Sequence, residues 1–128
     1  MSLLVTVEHT AEGRAQVAVS GRLDSSSYFE LDRSLQPLLE SSEITTLVLD
    51  LSGVSYISSA GLRSIFKARK ALGERAGLLL VVNPQPQVQK VFDIVKAVPV
   101  REIFRSVEEL DVYLQRIQAR SLDPDHED

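Results

Sequence analysis

The chain has 128 residues, 44% hydrophobic and 25% charged, which is enough for one domain with a proper core and too few for two. Its 14 basic against 18 acidic side chains leave a net charge of −4, which argues against nucleic acid as a direct partner, because phosphate binding needs a positive surface. The absence of cysteine excludes disulfides, thiolate metal sites and a cysteine nucleophile. No stretch approaches the ~20 apolar residues of a membrane span, so the expectation is a cytoplasmic protein with no membrane partner.

Taken in order, Leu3, Val5 and Val7 alternate with polar positions, Glu12-Gly13 breaks the pattern, and Val17 and Val19 resume it, which predicts a β-hairpin. Asp24-Ser25-Ser26-Ser27 supplies several N-cap candidates for a helix with the stripe Tyr28, Leu31, Leu35 and Leu38. Pro37 interrupts that stripe and predicts a kink or a loosened last turn, a weakness of about 3 kcal/mol if uncompensated. The unbroken apolar run within Ile44–Leu51 reads as a strand covered on both faces, and Leu62, Ile65 and Phe66 switch to helical spacing, with Gly73 as C-cap. Leu78 to Val82 is a second apolar run, so a right-handed βαβ unit with parallel strands is expected. Pro86 opens a helix buried through Val88, Val91, Phe92 and Val95, and Val100 to Phe104 reads as a short edge strand. Ser106 and Glu109 have capping-box spacing before a last helix with Leu110, Leu114 and Ile117 on one side, and residues 121–128 form an acidic tail expected to be flexible.

The stretch from Asp50 to Arg63, Asp-Leu-Ser-Gly-Val-Ser-Tyr-Ile-Ser-Ser-Ala-Gly-Leu-Arg, joins a buried strand to a helix through two hydroxyls followed by small residues. It resembles the signature of the STAS domain family, the fold of bacterial anti-sigma-factor antagonists. Gly21-Arg22-Leu23-Asp24 and the segment Pro86 to Ile94 resemble further parts of that family, so the likeness covers nearly the whole chain. The resemblance implies a single STAS-like domain over residues 1–120: an α/β fold with a mixed sheet of four or five strands, helices mostly on one face and an exposed loop at Ser58 and Ser59. It also implies a non-enzymatic regulatory module that binds an anti-sigma factor or serine protein kinase and is released when a serine is phosphorylated, with a serine phosphatase acting on the modified form. That serine corresponds to Ser59. The family's usual Asp before it is replaced here by Ser58.

The partner surface expected on this basis comprises Asp24, Ser25, Ser58, Ser59 and Gly61 with Arg63 and Lys67, which recur with Lys70 on one face of the helix. A phosphate at Ser59 is expected to be accommodated by free N–H groups at the helix start and to act on the partner, leaving the fold unchanged. Ser58 or Ser59 is equally an ordinary N-cap. A constitutive scaffold in a sensory or transport assembly is then the rival function, and a small hydrolase using Asp24 and Asp50 is the third. His9 and His126 lack partners at metal-ligand or triad spacing and no phosphate cradle is present, so no catalytic residue, metal or cofactor is expected.

Overall fold

Leu4–Ala11 (β1) and Arg14–Leu23 (β2) pair antiparallel as the expected hairpin. The computed structural model describes residues 3–97 and 106–122. The other elements are Tyr28–Glu40 (α1), Thr46–Ile57 (β3), Ser59–Gly73 (α2), Leu78–Val82 (β4), Pro86–Ala97 (α3) and Val107–Leu122 (α4). The sheet order is β1-β2-β3-β4, with β3 parallel to both β2 and β4, so the βαβ unit is present. The expected strand at Val100 to Phe104, His126 and the end of the acidic tail lie outside the described residues. Helix α4 itself runs to Leu122, past the Arg120 boundary drawn from composition.

Side-chain alternation decides which face of the sheet is covered. Ala15, Val17 and Val19 of β2 and Leu47, Leu49, Leu51, Val54 and Ile57 of β3 point into one core, joined there by residues from each of the described helices. On the opposite face Leu78 and Leu80 are 53% and 40% exposed, so β4 is not the doubly covered strand its apolar run suggests. An apolar run reports β-propensity as well as burial, and a strand near the margin of a sheet can carry the first without the second.

Helix α1 buries Leu31, Leu35 and Leu38, whereas Tyr28, expected on that stripe, is exposed. Pro37 does not break the helix, which continues to Glu40. The carbonyls around its C-terminus are satisfied from outside: the Arg75 guanidinium donates to Leu38 O, Leu39 O and Ile44 O. Gly73 is not a C-cap but part of the last turn of α2, and the reversal that follows uses Ala76 at φ 60°.

The largest departure from expectation is the length of β3, which continues beyond Leu51 to Ile57. Ala18 pairs with Asp50 but Ser20 with Gly53, and Gly21 pairs with Val54 but Arg22 with Tyr56, so β3 bulges in each interval. These bulges shift the inward positions out of strict alternation, from Leu51 to Val54 and Ile57. The segment therefore reads as a turn in the sequence. The first bulge leaves little room for a side chain at Gly53, where a Cβ would lie 2.2 Å from Ser20 Oγ, 2.9 Å from Ser20 Cβ and 3.0 Å from Val19 O.

Candidate functional site

The carboxyl ends of β2 and β3 lie side by side, with Leu23 registered against Ile57 and Ser58 N donating to Leu23 O. Each strand runs there into a helix, β2 through the turn Asp24 to Ser27 and β3 directly through Ser58. The two serine-bearing connections thus meet at one end of the sheet, the usual location of sites in open α/β folds.

Ser58 has extended backbone and is the N-cap of α2, its Oγ accepting from Gly61 N at 3.4 Å. Ser59 is the first helical residue. Its N–H donates to Asp111 Oδ1 at 2.8 Å and its hydroxyl to Asp111 Oδ2 at 3.1 Å, so a carboxylate from α4 sits on the start of α2. This corrects two expectations. Ser58 and Ser59 are 5% and 7% exposed, so the loop is covered, and the first N–H of α2 already has an anionic acceptor. Gly61, expected on the partner surface, is buried too: a Cβ on it would lie 2.7 Å from Leu23 Cγ and 2.8 Å from Leu23 O, so glycine allows α2 to start against the end of β2.

Asp24 organises the neighbouring turn, its Oδ1 accepting from Ser26 N at 3.0 Å and Ser26 Oγ at 2.8 Å. Burial raises the Asp24 carboxyl, but these bonds, another from Ser27 Oγ and the nearby Arg22 together bring it below its ordinary value of 3.8. Ser27 holds the N-cap position of α1 without capping it. Its buried hydroxyl turns back to accept from Asp24 N and shares its one proton between Arg22 O and Asp24 Oδ1. Ser25 is exposed at the tip. Across the strand ends the Arg22 guanidinium lies 4.2 Å over the Tyr56 ring, and the Tyr56 hydroxyl is raised from 10.0 by burial and then by the Asp111 charge, with Arg22 opposing. Asp50, the other carboxylate considered for an enzyme, lies within β3, where its Oδ1 accepts from Ser52 N.

On α2, Arg63, Lys67 and Lys70 are exposed as expected, and Lys67 lies 3.8 Å from Asp32 of α1. The residues missed from the sequence are on α4. Asp111 binds Ser59, and Gln118, 1% exposed, accepts from Ile57 N at 2.9 Å and donates to Ile57 O at 2.7 Å, as a neighbouring strand would. A signal was present: Asp111, Leu114 and Gln118 recur at three and four, placing two polar residues on the same face as a core leucine. His9 is exposed, and no cluster of His, Cys, Asp or Glu among the described residues could hold a metal ion. None of the helices searched among those residues is long and apolar enough to cross a membrane.

A mixed sheet with paired βα connections at one end, one carrying a serine at the first turn of its helix, defines the class of fold and site. A family model of the STAS domain matches residues 6–110, and the chain belongs to the STAS domain family. Among curated proteins it is 32% identical over 83 residues to BtrV of Bordetella bronchiseptica, to which an anti-sigma factor antagonist role is ascribed, covering 65% of this chain and 71% of that one. It is 25% identical over 76 residues to the anti-sigma F factor antagonist of Lysinibacillus sphaericus, covering 59% of this chain and 65% of that protein. The fold matches the anti-sigma factor antagonist SpoIIAA in its unphosphorylated form with a TM-score of 0.62 at 20% identity, over 71% of this chain and 83% of that one. The phosphorylated form of SpoIIAA matches with the same score and identity over 72% and 83%.

Proposed function

We propose that this protein is a cytoplasmic, non-enzymatic partner-switching module of the anti-sigma factor antagonist kind. In its unmodified state it binds an anti-sigma factor that is also a serine protein kinase. Phosphorylation of Ser59 releases it, and a serine phosphatase restores the binding form. The observation that supports this most is the convergence of the Asp24 turn, the Ser59 end of α2 and the exposed Arg63 on one end of the sheet. The names of the relatives point to the same class of partner.

The direct test is intact mass of the protein purified from its own cells, beside Ser59→Ala, with tandem spectrometry to place any phosphate. A phosphate on Ser58, or none after incubation with the partner kinase and ATP, removes the proposed switch. For the surface, Arg63→Glu is expected to slow association with the partner and to make it less salt-dependent, because exposed interface charges act mainly through steering. An unchanged rate across a salt titration would take α2 out of the interface.

The burial of Ser59 and its bonds to Asp111 favour a second reading, a constitutive scaffold in which Ser59 is purely structural. On that reading Ser59→Ala lowers stability without changing partner exchange in the presence of ATP.

A further inference from the structure

The Ser59 hydroxyl is not poised toward solvent. Its Oγ lies 3.1 Å from Asp111 Oδ2 and its backbone N–H is taken by Asp111 Oδ1, so one carboxylate accepts from both hydrogen-bond donors of the residue. Helix α4, which carries that carboxylate, is held by fully buried Leu114 and by Gln118, whose amide donates to Ile57 O and accepts from Ile57 N. Among the described residues, the other charged or titratable groups at this end include Arg22, Asp24, Tyr56 and the exposed Arg63 one turn along α2; Arg22 lies over the Tyr56 ring and 3.5 Å from Asp24.

Phosphoryl transfer from ATP would form an Oγ–P bond, break the bond from the γ-phosphorus to the bridging oxygen, release ADP and pass the hydroxyl proton to a base. The product would replace the proton facing Asp111 with a group of about −1.5 to −2 charges. In the observed geometry that group would meet a carboxylate at hydrogen-bond range, in a site 7% exposed at its serine. Like charges this close and this poorly solvated repel strongly, and neither can neutralise the other.

Resting on the reading that Ser59 is the modified residue, we propose that docking of α4 and a phosphate on Ser59 exclude one another, making α4 a latch over the switch. Undocking of α4 precedes modification, because the hydroxyl is otherwise covered. The phosphate then prevents re-docking. By linkage, whatever holds α4 down disfavours phosphorylation to the same degree that phosphorylation disfavours docking.

The coupling can be tested without the kinase by installing phosphoserine at position 59 during translation in the full chain and following amide hydrogen exchange. Peptides within Val107–Leu122 are expected to exchange about tenfold faster or more in the phosphorylated form, while β2 and the first half of β3 keep their protection. Asp111→Asn removes the charge but retains an acceptor for Ser59 N, so in that background the same modification should accelerate exchange of α4 by less than about threefold. Unchanged exchange of α4 in the phosphoserine protein overturns the latch, as does loss of protection throughout the sheet. Absence of phosphate on Ser59 in the cell-derived protein instead removes the regulatory reading, and the latch's role with it.

Discussion

The two halves of β3 are built by different means. Thr46 to Asp50 lies between β2 and β4 and has ladder partners on both sides. Beyond Asp50 no residue of β4 is registered against β3, and among the described residues the bonds on that side come from side chains: Gln85 Nε2 donates to Ser52 O, Gln87 Nε2 to Ser55 O, and Gln118 bonds both backbone polar groups of Ile57. Amide side chains carry the same donor and acceptor as a peptide, so they can bond a strand edge as a neighbouring backbone would. What differs is how the pairing is tethered. A ladder is cooperative along its length, whereas the glutamine contacts are side-chain bonds held by α4 and by the start of α3, where Gln87 Nε2 also donates to Gln85 Oε1 at 2.7 Å. The part of β3 that leads into Ser59 is therefore the part whose edge depends on α3 and α4.

If this contrast is right, damage to the first half should be global and damage to the second local. Leu49→Ala, in the ladder-paired half and fully buried, should cost about 2–5 kcal/mol and lower the unfolding midpoint of the whole domain in one transition. A loss below about 1 kcal/mol would mean that this half does not anchor the core. Gln118→Leu should leave Ile57 N–H and C=O without partners at about 1–3 kcal/mol per unsatisfied group, with exchange accelerating first in α4. Should amides throughout β2 and β3 accelerate in parallel with α4, the distinction between the halves would fail.

The smallest effect should come with acid. The Asp24 and Asp50 carboxyls both lie below their ordinary 3.8 in the folded state, Asp50 chiefly through the Ser52 N–H and against the opposing effect of burial. The unfolded chain therefore binds more protons in this range. The stability these groups add is complete above the unfolded value and is lost as pH falls through their folded values. Asp24→Asn should flatten the stability profile below about pH 4, with its small loss of stability full at neutral pH and fading as pH falls, where the protonated parent converges on the variant. An identical acid limb in the variant and the parent would show that the Asp24 turn contributes no acid dependence.

The sequence by itself determined the hairpin, the parallel βαβ unit, the helix stripes and the position of the two serines at the start of α2. These follow from periodicities of two and 3.6 and from capping chemistry, which act between residues close in the chain. The Ser106 N-cap, with Glu109 N donating to Ser106 Oγ, was legible for the same reason. Only the tertiary structure decided that Ser59 is covered, that Gly61 faces Leu23, and that β3 passes through its bulges to Ile57. The partners responsible, Asp111 and Gln118, stand 52 and 61 residues from the backbone they bind. No local pattern specifies which polar side chain on a distant helix will satisfy a given N–H. That is decided by how α4 packs through Leu114 onto the core, which brings a carboxylate to Ser59 and an amide to Ile57.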